Sequence, residues 1–162
     1  MTSTYEKIAT TTLGTVSTGV TFSSISGSYT DLVLIISYRL DGAGTGAAGG
    51  LRFNSDSSTN YSATFMYGTG SSAISARASN ATYADVAFMS SNSWATSITN
   101  IQNYSNTTTF KTLISRNSVS NGEVTAYVNI WRSTSAINNI QIFAGSNYAV
   151  GTMFTLYGIK AE

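Results

Sequence analysis

The chain of 162 residues contains no cysteine, no histidine and no proline. Without cysteine it cannot form disulfides, zinc–thiolate sites or a cysteine nucleophile. Without histidine it lacks serine–histidine triads, histidine-bound metals and the commonest general base. We therefore expect a protein that is not an enzyme and that uses no metal or cofactor.

Charge is also scarce. Charged residues make up 9% of the chain, against about a quarter in typical domains, and the net charge is +1. The basic residues are scattered, whereas nucleic-acid binding needs a basic stripe. The seven carboxylates include no pair at a spacing that indicates a glycosidase. The longest apolar run, LVLII at 32–36, is far shorter than the ~20 residues of a membrane helix, and the amino terminus lacks a secretion signal. These features predict a soluble protein without nucleic-acid binding or membrane insertion.

What the chain does contain favours β-structure. Thr, Val, Ile, Tyr and Phe suit a pleated surface, and several segments alternate with period two. In EVTAYVNIWR (123–132), Tyr127 and Trp131 share one face with Thr125 and Asn129, and the intervening apolar residues form the other. DLVLIISYRL (31–40) begins apolar on both faces, which is typical of a central strand. About ten short strands between Gly, Ser and Asn turns predict an all-β fold: one antiparallel, jelly-roll-like β-sandwich over residues 1–162.

Two loop-like motifs invite functional interpretations. In GAGTGAAGG (42–50), Gly44, Gly46 and Gly49 have the spacing of a dinucleotide-binding turn. That turn requires a following helix, whereas GLRFNSDSS predicts a strand and a turn, so we expect a strand-to-strand loop. The segment NSDSSTN (54–60) loosely resembles a calcium loop but has one carboxylate, which favours a polar turn. Four Asn-x-Ser/Thr acceptor patterns, at Asn60, Asn80, Asn103 and Asn106, are explained by composition alone.

Aromatic side chains supply the weak candidates for ligand binding. Ten tyrosines and two tryptophans can form a sugar-stacking platform, for which Trp94, Tyr127 and Trp131 are the candidates. Cross-strand packing within a sheet is the alternative role. Arg52 and Arg132 lie within predicted strands, where each either pairs with a carboxylate at a subunit interface or extends to the surface.

Edge protection is weak in this sequence. Sheet edges are usually blunted by Lys or Pro, and low net charge favours association. The chain has no proline and few lysines. We therefore expect a structural or interaction protein that forms a homo-oligomer, with a trimer favoured.

Several segments resemble a recurrent family of tailed-phage virion proteins, abundant in marine and cyanobacterial phages. They include VTFSSISGSYTDLVLI, LRFNSDSSTNYSATFMYG and NYSNTTTFKTLISR, and the pairing of WRSTSAI with the terminal FTLYGIKA is the most specific part. The resemblance implies a β-sandwich located on the virion and in contact with the major capsid or other virion proteins, and it assigns no site residues. It is compatible with a capsid decoration, cement or head-fibre protein. The alternative is a tail-fibre or spike module that binds host glycans.

Overall fold

The fold is described from a computed structural model for residues 4–42, 45–90, 93–119 and 123–160, with the backbone alone considered at 45–48 and 88–90. These residues form twelve strands. The strands are β1 (Tyr5–Thr12), β2 (Ser17–Phe22), β3 (Asp31–Tyr38), β4 (Thr45–Phe53), β5 (Tyr61–Gly68), β6 (Ala73–Ala81), β7 (Ala84–Ser90), β8 (Ala95–Ile101), β9 (Lys111–Val119), β10 (Glu123–Trp131), β11 (Ile140–Tyr148) and β12 (Met153–Ile159). The described part of the chain has no helix long and apolar enough to span a membrane.

The strands form two antiparallel sheets, of eight and four strands. The larger sheet has the order β1-β12-β3-β8-β9-β10-β5-β6, and the smaller has β2-β11-β4-β7. The first four strands of the larger sheet and the whole smaller sheet have the strand order of an eight-stranded jelly roll. Among these eight strands the chain crosses between the layers at every step except from β4 to β7, which pair within the smaller sheet. The predicted all-β, jelly-roll-like sandwich is therefore confirmed.

Two hairpins are added to this jelly roll. The β5–β6 hairpin lies between β4 and β7 in sequence, and the β9–β10 hairpin lies between β8 and β11. Both extend the larger sheet beyond β8, where β9 pairs with β8, β10 with β9, and β5 with β10. The extended sheet is twice as wide as its partner, so the two layers do not cover one another fully.

The core lies between the sheets and continues under their connecting loops. One cluster of buried side chains includes Leu34 and Ile36 from the central strand β3, Leu51 from β4 and Leu156 from β12. Strand β3 is buried on both faces at its start, as its two-sided apolar pattern predicts. Side chains of this size each contribute roughly 1.5–3 kcal/mol when they leave water.

Polar side chains of the larger sheet protect the free edge of β7. The Asn129 amide, which is buried on β10, accepts a hydrogen bond from the Asp85 N–H (3.1 Å) and donates one to the Asp85 carbonyl (2.9 Å). The Ser97 hydroxyl on β8 donates to the Val86 carbonyl (2.7 Å). These side chains satisfy backbone groups that an edge strand otherwise leaves unpaired.

Two expectations about local structure need correction. Strand β6 was not predicted, because its residues are exposed or half-buried along the whole strand and show no apolar alternation. The glycine-rich segment is not wholly a loop, because β4 begins at Thr45 and continues to Phe53; Gly44 lies outside the described residues. Within β4, the Phe143 ring lies directly over Gly50, where any Cβ would collide with it. Close packing, rather than phosphate binding, accounts for that glycine.

Candidate interaction surface

The outer face of the larger sheet, which points away from the smaller one, is its most distinctive surface. On β10 the buried residues are Thr125, Tyr127, Asn129 and Trp131, so the apolar alternate residues face outward. Val124 is 60% exposed and Met66, on the neighbouring strand, is 62% exposed. Val128, Ile114 and Met153 are also large, exposed apolar residues of this face. Large apolar side chains exposed on one face of a sheet make that face a candidate interaction surface.

A concave part of this face, here called the apolar groove, spans β8, β9, β10, β5 and β6 and encloses about 760 Å³. Strand register sets its floor, where Ile98 lies beside Arg116, Arg116 beside Ala126, and Ala126 beside Met66. The next row contains Ser118 and Val124. Four of these five strands belong to the two added hairpins, so the groove is built almost entirely from the insertions.

Charge on the groove is of one sign. Arg116 is exposed within it, and no salt bridge or hydrogen bond of its guanidinium occurs within the described residues. Arg77 points outward at the β6 margin, in register with Thr64. No Asp or Glu occupies an outward position on these five strands as described. The groove therefore offers an apolar floor and a cation without a counter-charge.

The three candidate ligand-binding aromatics do not form a common platform. Tyr127 is 5% exposed and contacts Phe65 (ring centroids 5.5 Å apart), and Trp131 is 2% exposed. Both face the interior, because their alternation places them on the side that packs against the smaller sheet and the adjoining loops. The sugar-stacking interpretation is therefore not supported for these two residues. Their role is the cross-strand packing that was the alternative.

Trp94 alone of the three is exposed, at 46%. The Arg39 guanidinium carbon lies 5.7 Å from the centre of its ring, a cation–π contact. The following residue, Ala95, pairs with Val119 at one end of β9, whereas Trp131 pairs with Lys111 at the other. Those ends are separated by ~27 Å at ~3.4 Å per residue. Trp94 stays an isolated candidate.

The polar turn at 54–60 is held by Trp131 and Arg132. The Trp131 indole N–H donates to an Asp56 carboxylate oxygen (2.7 Å), which also accepts from the Asn60 amide (2.9 Å). Partial burial raises the pKa of Asp56, but hydrogen bonds from Asn60, Trp131 and Ser58 outweigh it, and the net pKa lies below the ordinary value. These bonds within the chain fully account for the carboxylate, in line with the polar-turn interpretation.

Arg132 and Arg52 bond to neutral groups within the chain. Arg132 donates to the Thr59 carbonyl (2.6 Å) and to the Asn80 amide oxygen (3.0 Å). Arg52 donates to the Thr82 carbonyl (3.1 Å), and its guanidinium carbon lies 4.6 Å from the centre of the Phe143 ring. Both arginines thus fasten neighbouring strands and turns, a role that neither sequence interpretation anticipated.

Two buried titratable groups, Tyr61 and Lys111, have hydrogen-bond partners within the chain. Burial raises the pKa of Tyr61 to about 12, and its hydroxyl accepts a hydrogen bond from the Phe53 N–H (3.0 Å). Burial lowers the pKa of Lys111, whose ammonium donates to the carbonyls of Thr109 (2.8 Å) and Thr134 (3.3 Å). No group of three Asp or Glu side chains that could hold a metal occurs in the described ranges.

Comparison with known proteins adds little to this description. No protein-family model and no curated protein matches the chain. Among solved structures, the chain is similar to a protein of unknown function, SO2946, from Shewanella oneidensis MR-1, with 8% sequence identity and a TM-score of 0.30. The similarity covers 98% of this chain and 77% of that one. A likeness of this degree supports neither a family nor a function.

Proposed function

We propose that this protein is a non-enzymatic structural subunit of a tailed-phage virion, a decoration or cement protein that binds the outer shell of the capsid. The observation that carries the proposal is the open outer face of the larger sheet, where large apolar side chains such as Val124, Val128 and Ile114 are exposed. A soluble domain rarely leaves so much apolar surface in water unless a partner covers it. The assignment to a virion rests on the resemblance of several segments to tailed-phage virion proteins.

The size of the outer face suits a stable contact. Eight strands at ~4.8 Å spacing and about seven residues at ~3.4 Å give a surface of ~800 Å². A specific interface of standard size buries about 800 Å² on each partner. If a partner covers the whole face, its area is comparable with one side of a standard interface.

Self-association is a second part of the proposal. Strand β6 has nine residues, pairs only with β5, and is exposed along most of its length with Arg77 as its single charge. The edge of β7 is covered by side chains, and β1 is interrupted by a register shift next to Lys7. The remaining edge strand, β2, has six residues, and its pairing with β11 contains a register shift. The longer β6 edge is therefore the most open to pairing with another copy. Light scattering should give a mass that is a multiple of 17.1 kDa, and three times that mass for the trimer that we favour.

Copy number tests the virion proposal. Quantitative mass spectrometry of purified particles of the phage that encodes the chain should find hundreds of copies, counted against the major capsid protein. A few dozen copies or fewer would refute decoration and favour the tail, where receptor binding is the alternative. That alternative has less support, because Tyr127 and Trp131 are buried.

Site-directed variants test the face. Val128→Lys places a charge on the outer face and should abolish attachment of the recombinant protein to stripped particles. Thr21→Lys is the matched control, because Thr21 is exposed on a strand of the smaller sheet. Thermal unfolding of both variants checks that each is folded. Equal attachment of the two would refute the assignment of the outer face.

A further inference from the structure

The apolar groove has a chemistry that restricts what can cover it. Its floor contains Ile98, Ala126 and Met66, with Val124 in the adjacent row, so its occupant must present apolar groups. Arg116 stands in the middle of this floor, where an occupant would displace water from its guanidinium. Burying an arginine without a counter-charge is costly. A stable occupant therefore has to bring an anion to that position.

A second copy of the chain does not satisfy this condition through the same groove. An isologous contact places one patch against itself. The outward residues of the five strands include Arg77 and Arg116 and, across the described positions, no carboxylate. Two copies face to face would bring cations together with nothing to neutralise them. The groove thus selects against self-association and leaves that role to other surfaces.

The shape of the groove favours a protein over a small molecule. Small-ligand sites enclose most of their ligand, typically 70–90% or more of its surface. This groove lies on the face of a sheet and extends across five strands, which is ~19 Å at ~4.8 Å per interval. A groove that lies open along this length of a sheet is matched by the face of another protein, whose apolar side chains pack against the floor.

Building on the function proposed above, we infer that the apolar groove receives an apolar surface of a different protein that carries one carboxylate at its centre, and that this carboxylate pairs with Arg116. The planar guanidinium favours a two-point contact with a carboxylate, which fixes orientation as well as adding affinity. Arg116 is then the residue that sets partner choice, and the apolar floor supplies the contact area.

Three peptides test the inference. They share one soluble amphipathic sequence of about 14 residues and differ at a single central position of the apolar face, which is Asp, Asn or Lys. Fluorescence anisotropy with the full chain should give roughly tenfold tighter binding for the Asp peptide than for the Asn peptide, the equivalent of one charge-assisted contact. The Lys peptide should bind most weakly. In NMR spectra of the chain, the amide chemical shifts that change on peptide binding should belong to the strands of the groove.

Reversing the charge of Arg116 is the decisive experiment. Arg116→Glu should invert the order, so that the Lys peptide binds best. Arg77→Glu is the matched control and should keep the preference for Asp, because Arg77 lies at the margin on β6. Equal binding of the three peptides, no binding to the folded chain, or an order unchanged in Arg116→Glu would overturn the inference. If submicellar dodecanoate changes the amide chemical shifts of the groove strands and none of the peptides does, the inference is overturned in favour of a lipid-like ligand.

Failure of this inference is distinguishable from failure of the proposed function. If Arg116→Glu attaches to particles like the unmodified chain while Val128→Lys does not, the carboxylate contact is refuted and the shell-binding role stands. If the unmodified chain is absent from particles, the proposed function fails whatever the peptides show.

Discussion

Removing the Asn129 side chain should destabilise the protein far more than its polarity suggests. Asn129→Ala deletes both hydrogen bonds to the Asp85 backbone, of 3.1 and 2.9 Å, and leaves an N–H and a carbonyl on the β7 edge without partners. Each such group costs about 1–3 kcal/mol when buried. Because Asp85 is half-buried rather than fully enclosed, the lower part of that range applies. We expect a loss of about 2–3 kcal/mol in the free energy of unfolding.

Urea unfolding at neutral pH measures this loss, and two further variants calibrate it. Ser97→Ala removes one bond to the Val86 carbonyl and should cost about 1 kcal/mol. Val128→Thr changes the exposed side of the strand that carries Asn129 and should stay within about 0.5 kcal/mol of the unmodified chain. A loss for Asn129→Ala no larger than that for Val128→Thr would refute edge capping as the role of the buried polar layer.

Three further predictions concern packing and pH. Gly50→Ala should cost about 1–3 kcal/mol because its Cβ would collide with Phe143, whereas Gly14→Ala, with open space around it, should be close to neutral, as calorimetry can check. The pKa of Asp56 is lower in the folded protein than its ordinary value of 3.8. The ionised carboxylate therefore stabilises the fold above pH 3.8, and this stabilisation is lost as pH falls through the lower folded pKa. Asp56→Asn should remove this acid sensitivity, which urea titrations below about pH 4 measure. Burial raises the pKa of Asp85, so its ionisation opposes folding as pH rises above 3.8; Asp85→Asn should raise the urea midpoint at pH 7 and leave it unchanged at pH 2.5. Equal midpoint changes at the two pH values would contradict the last prediction.

Sequence patterns predicted the architecture well because the jelly-roll strands obey simple rules. Strand β3 is apolar on both faces and lies inside the larger sheet, between β12 and β8, as expected of a central strand. Strand β10 alternates as predicted, but its buried face carries Thr125 and Asn129, and its exposed face carries Val124 and Val128. Hydropathy alone would assign these faces the other way round. Asn129 is inside because it bonds to the edge of β7, a long-range relation that local sequence does not contain.

The apolar groove was harder to anticipate for the same reason. Met66, Ile98, Arg116 and Val124 come from four different strands, and only the register brings them together. The two buried aromatics, Tyr127 and Trp131, cannot be distinguished by composition from exposed ones such as Trp94. The weakness of edge protection was visible in the lack of proline, yet the side chains that cover β7 could be assigned only in three dimensions.

The two hairpins carry two sets of positions, because their inward residues such as Leu113 and Trp131 belong to the core and their outward residues do not. Outward residues of β9, β10, β5 and β6 contribute little to the interior, so they can be exchanged while the other eight strands keep their packing. Substitutions at these outward positions should therefore change the surface of the sheet at little cost in stability. Engineers could graft new specificities at the same place.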